Sequence, residues 1–417
     1  MRVTSSGIER AKDKPGRVRL VGEVEYDGGG SDRYWFEVAD RHADELSTTG
    51  NTWLAGLLPL AVCNREPLRI DLPVDRLLYE NIRELMYVWQ SWYPRLPVIE
   101  IEAEVSDDAA GPERPRVGSF FTGGVDSIFT LLQHVRSFTP DAPFEIDDLI
   151  TICGYDIPLR NAENFARRYA RQQKAAAIVG KELLDVFTNT RETVVARIDE
   201  KQIECSSMWG RICHACGLAS IAYALEKRFR KVVISSTYSY AELVRIPCGT
   251  HPLIDHLLST RRTNVFHYGA GFDRAEKVMY IADSEVVKQS LQVCWILLTE
   301  ENCCRCLKCY QTMIPLEIAG VLKDCTTFKR KSLDLKRLEK LFIEHDHQAP
   351  FYRELQQLAR KHDRPDIAAA LDKAFERSEL IHRKRRLGDY LSRKPLLWRL
   401  TPRLRKSIRK MEADSIR

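Results

Sequence analysis

The stretch Arg116-Val117-Gly118-Ser119-Phe120-Phe121-Thr122-Gly123-Gly124-Val125-Asp126-Ser127 constrains the fold of this chain more than any other. A short apolar run stops at two glycines and an Asp-Ser pair, and helical spacing resumes over residues 128–136. This predicts a strand, a tight loop and a helix N-terminus. Glycine lets backbone close in on a ligand, and the N–H groups of such a loop and first helical turn point outward. With the hydroxyls of Thr122 and Ser127, the loop can hold a phosphate or pyrophosphate.

The residues that follow repeat the pattern. Residues 148–153 read as a second buried strand ending at Gly154-Tyr155-Asp156, 161–179 as a long helix, and 183–188 as a third strand. Residues 211–228 read as a helix, 231–236 as a fourth strand and 264–267 as a fifth. Strands alternating with helices of this length predict right-handed βαβ crossovers and a Rossmann-like α/β fold, a parallel sheet with helices on both faces. Ligands of such sheets bind at the carboxyl ends of the strands. The glycine loop, Cys153, Gly154, Tyr155, Ser235 and Ser236 are all expected at that crevice.

Residues 1–110 are expected to form a small α+β domain. Alternation over 17–26, the turn at 27–32 and alternation over 33–38 suggest a hairpin. Residues 68–72 and 98–105 suggest further strands, and 74–92 a helix. Trp35, Trp53 and Trp89 are assigned to the core. The Gly/Pro-containing acidic stretch 106–115 reads as a linker, followed by the α/β domain to 325 and a helical, basic region over 326–417.

The chain has 417 residues, 44% hydrophobic and 29% charged, which is the composition of a globular protein of two or three domains. It shows no signal-peptide core and no apolar run near the roughly 20 residues that span a bilayer, so a cytoplasmic location is expected. Five of its twelve cysteines crowd into the short segment 294–309, which favours metal binding in a reducing compartment over a disulfide framework. A net charge of +6 permits an anionic substrate or nucleic acid without requiring either.

Within 294–309, Cys294, Cys303, Cys306 and Cys309 have the spacing C-x8-C-x2-C-x2-C, four thiolates able to close tetrahedrally on one Zn2+. Glu301, Asn302, Arg305 and Lys308 make the segment too polar for cysteines acting only as small hydrophobes. With four protein ligands the zinc is expected to be structural. Cys304 is the spare thiol, and a register that uses it stays open.

Thr122-Gly123-Gly124-Val125-Asp126-Ser127 resembles the Ser-Gly-Gly-x-Asp-Ser loop of the PP-loop ATP pyrophosphatases. It lacks the Gly-Lys-Ser/Thr ending of a Walker A loop and the glycine spacing of a dinucleotide fingerprint. Together with the four cysteines it is similar to the 7-cyano-7-deazaguanine synthase family, over roughly residues 116–320. The resemblance implies the fold of the adenine nucleotide alpha hydrolases, and ATP phosphates held by Thr122, Gly123, Gly124, Val125, Asp126 and Ser127. It implies Mg2+ positioned with help from Asp126, and catalytic roles for Asp126, Ser127 and Arg211. The implied reaction activates a carboxylate, such as that of a 7-deazaguanine, as its acyl-adenylate, with ammonia displacing AMP and a second ATP dehydrating the amide. The chain departs from the family at Thr122, at Cys153-Gly154-Tyr155-Asp156, and in both terminal regions. A divergent member from a modification or anti-phage defence system is therefore as much expected as a biosynthetic enzyme.

Other residues keep two readings. Arg211 either grips a carboxylate or phosphate bidentately or is a surface charge. Tyr155, Asp156, His251 and Asp255 are candidates for substrate contact, His251 and Asp255 for proton transfer, or else are solvated loop groups. Glu276 and Lys277 read as a structural pair. Cys213 and Cys216 either begin a buried helix face or, with Cys153, Cys205 or Cys248, hold an iron–sulfur cluster as in one class of tRNA thiolation enzymes. The basic segment 383–410, with Leu396, Leu397, Trp398 and Leu400, either packs as a terminal helix or meets RNA, DNA, a protein partner or an anionic membrane. A non-catalytic nucleotide-binding role in a multiprotein system, and a homodimer, also stay open.

Overall fold

A computed structural model describes the chain except for residues 109–113, 199–206, 295, 297–300, 345–347, 393–401, 403–405 and 409–417. The chain divides into two compact units, Met1–Thr122 with Thr130–Gly271, and Gly123–Phe129 with Phe272–Arg417.

The first unit is built on β1 (Arg2–Arg10), β2 (Arg17–Glu25), β3 (Ser31–Ala39), β4 (Leu68–Asp75), β5 (Ile101–Ser106), β6 (Arg116–Phe120), β7 (Asp148–Cys153), β8 (Glu182–Thr188), β9 (Phe229–Ser235) and β10 (Asn264–Tyr268). Its helices are α1 (Asn51–Asn64), α2 (Arg76–Trp92), the end of α3 (Val125–Gln133), α4 (Ala162–Ile178), α5 (Thr190–Arg197), α6 (His214–Ala224) and α7 (Tyr240–Leu243). All the strands join one sheet in the order β10-β9-β6-β7-β8-β3-β2-β1-β4-β5. The run from β10 to β8 is parallel throughout. These strands were legible because a strand covered on both faces is a short continuous apolar run. β6 and β7 are buried along nearly their whole length.

The expected boundaries at residues 110 and 325 do not coincide with these units. β3 pairs antiparallel with β8, so the first 110 residues extend the same sheet instead of standing apart. Their side chains also share one core with α6, β9 and β10, among them Trp53 and Trp89. Trp35 is only half-buried, with the Arg19 guanidinium 4.6 Å over its ring. Asp75 caps α2 by accepting from Leu77 N at 2.9 Å. At the amino ends of the parallel strands, Asp148 of β7 is buried and takes hydrogen bonds from Arg116 and, at 2.8 Å, from Arg228.

The strand order reverses between β6 and β9. Chain order runs β6, β7, β8 to one side, then returns to β9 and β10 on the other. In an open α/β sheet this reversal opens a crevice at the carboxyl ends of the strands beside it. The glycine loop follows β6 directly.

The second unit contains the start of α3, then α8 (Arg274–Ile281), α9 (Glu285–Ser290), α10 (Leu307–Ile318), α11 (Leu335–Leu338), α12 (Ala349–Lys361) and α13 (Pro365–Ser392). Tyr310 and Ile314 of α10 pack with Tyr352 and Leu355 of α12 and with Leu371 and Ala374 of α13. The four-cysteine segment and the helical region thus share a core. Among the described residues no helix is long and apolar enough to cross a membrane.

Candidate functional site

The loop after β6 adopts the conformation its glycines permit. Gly123 has φ +75, in the left-handed region that glycine enters without the steric cost of a Cβ. Val125 and Ser127 are buried, and Ser127 Oγ donates to Gly124 O at 3.1 Å, closing the first turn of α3. Thr122 is exposed. An α-helix begins with N–H groups that have no intrahelical partner, so the start of α3 is suited to an anion.

Asp126 sits in that turn facing two cations from α8. Arg274 donates to its Oδ2 at 2.8 Å, and Lys277 Nζ lies 3.7 Å from Oδ1. The side chains of Arg274 and Lys277 are only 4% and 1% exposed, against 19% for Asp126. Both cations lie in a nearly closed place. Arg274 Nε and Asp126 Oδ1 are buried without a hydrogen-bond partner among the described residues. The sequence reading missed Arg274 and paired Lys277 with Glu276. Glu276 instead caps its own helix, its carboxylate taking Asp273 N at 2.9 Å while its N–H reaches Asp273 Oδ1. The missed signal was a cation at Arg274 and again three residues on, on the helix face that also carries Val278 and Ile281.

The four cysteines meet. Their sulfurs lie within 4.8 Å of one another, and they are the only group of three or more His, Cys, Asp or Glu so gathered among the described residues. Cys303 Sγ and Cys309 Sγ are 3.7 Å apart. Four sulfurs about 2.3 Å from a tetrahedral zinc stand about 3.8 Å apart, so the donors fit Zn2+. Backbone amides support them, Cys306 N donating to Cys303 Sγ at 3.3 Å and Cys309 N to Cys306 Sγ at 3.4 Å. Contacts with Cys294 and Cys303 push the Cys306 and Cys309 thiols far up. For Cys303 the contact with Cys294 also pushes up, but hydrogen bonds from Cys306 and Cys309 outweigh it and lower the thiol to about 6. A divalent cation removes this conflict by holding all four as thiolates. Cys304 is not a ligand here: it is buried, has φ +54, and donates from Sγ to Asn302 O at 3.3 Å.

Asn302 connects this centre to the loop. Its Oδ1 accepts from Val293 N at 2.8 Å and Cys294 N at 3.0 Å, and its Nδ2 donates to Leu291 O at 2.9 Å. In the same short segment Gln292 N donates to Gly123 O at 2.9 Å. A continuous path of hydrogen bonds, through the Asn302 side chain and the backbone of residues 291–294, therefore runs from the cysteines to the first glycine of the loop.

In the first unit, Cys153, Gly154, Ser235 and Ser236 do lie at carboxyl ends of β7 and β9, as expected. Most of their polar groups have internal partners. Cys153 is buried among Ile157 and Phe165, and burial pushes its thiol up to about 11. Gly154 has φ +112 and gives its N–H to Ile157 O at 2.8 Å. Ser236 Oγ donates to Tyr238 O at 2.7 Å, while Ser235 Oγ is buried without a partner among the described residues.

The remaining candidates are more dispersed. The Tyr155 hydroxyl donates to Gly217 O at 2.8 Å, fixing α6. Its ring meets Trp209 at 4.6 Å, and Arg191 lies 4.9 Å over the same indole. Asp156 is exposed. Arg211, in a π-helical turn spanning Trp209–Cys213, donates to Pro247 O at 3.2 Å. His251 is buried with both ring nitrogens engaged, one with Leu243 O at 3.1 Å and one accepting from Leu253 N at 3.0 Å. Burial lowers its pKa, so it is held neutral. Asp255 accepts from His251 N through Oδ1, but its other oxygen is 2.8 Å from Nδ1 of His267, a partner the sequence reading did not name. Cys213 and Cys216 are buried, and burial pushes the Cys216 thiol well up. No third ligand gathers with them among the described residues, and Cys205 lies outside those residues. Leu396, Leu397, Trp398 and Leu400 also lie outside them.

Compared with family models, curated proteins and solved structures, the chain matches none.

Proposed function

We propose that this protein is an ATP-dependent enzyme that adenylates a carboxylate, releasing pyrophosphate, in the manner of the 7-cyano-7-deazaguanine synthases. The observation that carries the reading is the Gly-Gly-x-Asp-Ser turn that follows directly on β6 in the chain, with Asp126 facing the buried cations Arg274 and Lys277. A substrate carboxylate oxygen attacks the α-phosphorus, the bond to the bridging oxygen of the β-phosphate breaks, and the electron pair leaves with pyrophosphate. Ammonia then attacks the acyl carbon and AMP departs with the carboxylate oxygen.

The residues of the loop suit the first step. Charge grows on the departing pyrophosphate, and fixed dipoles and cations placed beforehand stabilise it without reorganising. Arg274 and Lys277, with the first turn of α3, supply that positive field. Asp126 is the carboxylate that would hold a Mg2+ ion, which would supply charge neutralisation on the leaving group. Phosphates compete with Asp126 for Arg274 and Lys277, which frees the carboxylate for that role. The four cysteines would hold a zinc ion that serves only as a brace, through Asn302 and Gln292.

Incubation with ATP, Mg2+ and 7-carboxy-7-deazaguanine, with and without ammonia, tests the reading. Substrate-dependent AMP and pyrophosphate, lost in Asp126→Ala, are the expected outcome. ADP release, or no turnover with any carboxylate, counts against it.

A further inference from the structure

Beside the four-cysteine centre the second unit has a cavity of about 340 Å³, lined by Glu301, Asn302, Arg305, Lys329, Arg330 and Arg337 with the backbone turn at Cys303 and Cys304. Four cations and one carboxylate line it. They come from three separate pieces of chain: the cysteine turn, the segment after Phe328, and α11. Like charges brought together repel. Lys329 is paired with Glu301 at 2.6 Å and Arg330 with Asp334 at 3.3 Å. Arg305 forms no ion pair among the described residues, and its carbonyl accepts from Arg337 Nε at 3.5 Å, which draws the two arginines together.

The walls are fixed in place. Asn302 forms a parallel bridge with Phe328, and its Nδ2 also donates to Thr327 Oγ1 at 3.1 Å. This sets the cysteine turn against the chain that carries Lys329 and Arg330. Neutralising the thiolates does not explain the cations, since the recorded partners of Lys329 and Arg330 are carboxylates and backbone amides support the Cys303 and Cys306 sulfurs. Arginine forks on a braced frame match the oxygens of a phosphate.

We infer that this cavity is a phosphate-binding site, separate from the glycine loop, which takes a phosphate of a single-stranded nucleic acid or of a small phosphorylated ligand. It needs no ATP chemistry, and its success or failure is independent of the adenylation reading.

The test uses the full-length, zinc-loaded protein and an Arg305→Gln/Arg330→Gln double variant. Two probes are applied: a fluorescently labelled 12-nucleotide single-stranded RNA across a KCl series, and pyrophosphate in a calorimeter. Only binding that the double variant loses is scored, with zinc content and melting temperature checked as unchanged. For RNA the expected result is affinity at least tenfold weaker at low salt, with the slope of log K against log salt smaller by about 1.4, or about 0.7 for each phosphate contact removed. Loss of RNA binding identifies a nucleic-acid phosphate; loss of pyrophosphate binding alone identifies a small ligand. If the double variant binds both probes as the wild type does, or the wild type binds neither, the inference is wrong.

Discussion

Replacing Asp126 by asparagine removes one charge while keeping the shape of the side chain, and takes away the carboxylate that Arg274 and Lys277 of α8 both face. At an effective dielectric of about 20, the attractions at 2.8 and 3.7 Å are worth roughly 6 and 4.5 kcal/mol before desolvation is subtracted. Removing one member of a buried charge group typically costs about 3–5 kcal/mol, and the partial exposure of Asp126 places the expected loss toward the lower end. For a unit of this size each kcal/mol moves the melting temperature by about 2–4 °C, so a fall of roughly 6–15 °C is expected in scanning calorimetry. The Asp126→Asn/Lys277→Met double variant should recover part of that loss, because the second change removes one of the two cations that faced Asp126. Pyrophosphate should also stabilise Asp126→Asn more than the wild type, since it supplies the missing anion. If Asp126→Asn melts within about a degree of the wild type, or if the two substitutions simply add, the argument from buried charge is refuted.

Three other outcomes follow from the geometry. A Cβ at Gly154 would stand 1.9 Å from Thr188 O in a backbone with φ +112, so Gly154→Ala should cost about 3 kcal/mol or more by urea denaturation; a loss under about 1 kcal/mol would contradict the packing. Burial pushes the Asp148 carboxyl up, but hydrogen bonds from Arg116 and Arg228 outweigh it and hold the group below its ordinary range. Its stabilisation is therefore complete above an unfolded value of about 3.9 and is lost as pH falls through the lower folded value. Urea midpoints of Asp148→Asn should accordingly be lower at pH 7 and flatter than wild type between pH 4 and 3, and equal slopes would refute the assignment. Stripping zinc, or making Cys303→Ser, should lower the melting temperature and weaken protection by ATP, because the cysteines brace Gly123 through Asn302 and Gln292; unchanged ATP protection in the metal-free protein would break that link.

How much of this the sequence disclosed depended on whether the signal was local. The five parallel strands and the glycine loop were legible because each is an apolar run bounded by turn residues. The cysteine centre was legible because its ligands lie within 16 residues. Helix α1 escaped notice since nearly every residue in it is buried, so it has no polar face and no 3.6-residue period. β1 escaped because only Val3 of its nine residues is buried, and Ser5, Ser6, Gly7 and Glu9 are poor strand formers that break the alternation. The joining of β3 to β8 and the meeting of Asp126 with Arg274, 148 residues apart, are products of the fold with no local trace. A buried lysine such as Lys277 resembles any surface cation until its surroundings are seen. His251 looked available for proton transfer in sequence, yet folding commits both its nitrogens.

Adenylation is most directly tested by carboxylate-dependent exchange of labelled pyrophosphate into ATP, with 7-carboxy-7-deazaguanine among the acids and no ammonia present. The proposed function predicts label appearing in ATP only when the acid is added, and its loss in Asp126→Ala. Carboxylate-dependent formation of ADP, or exchange that the Asp126→Ala variant retains, would contradict it.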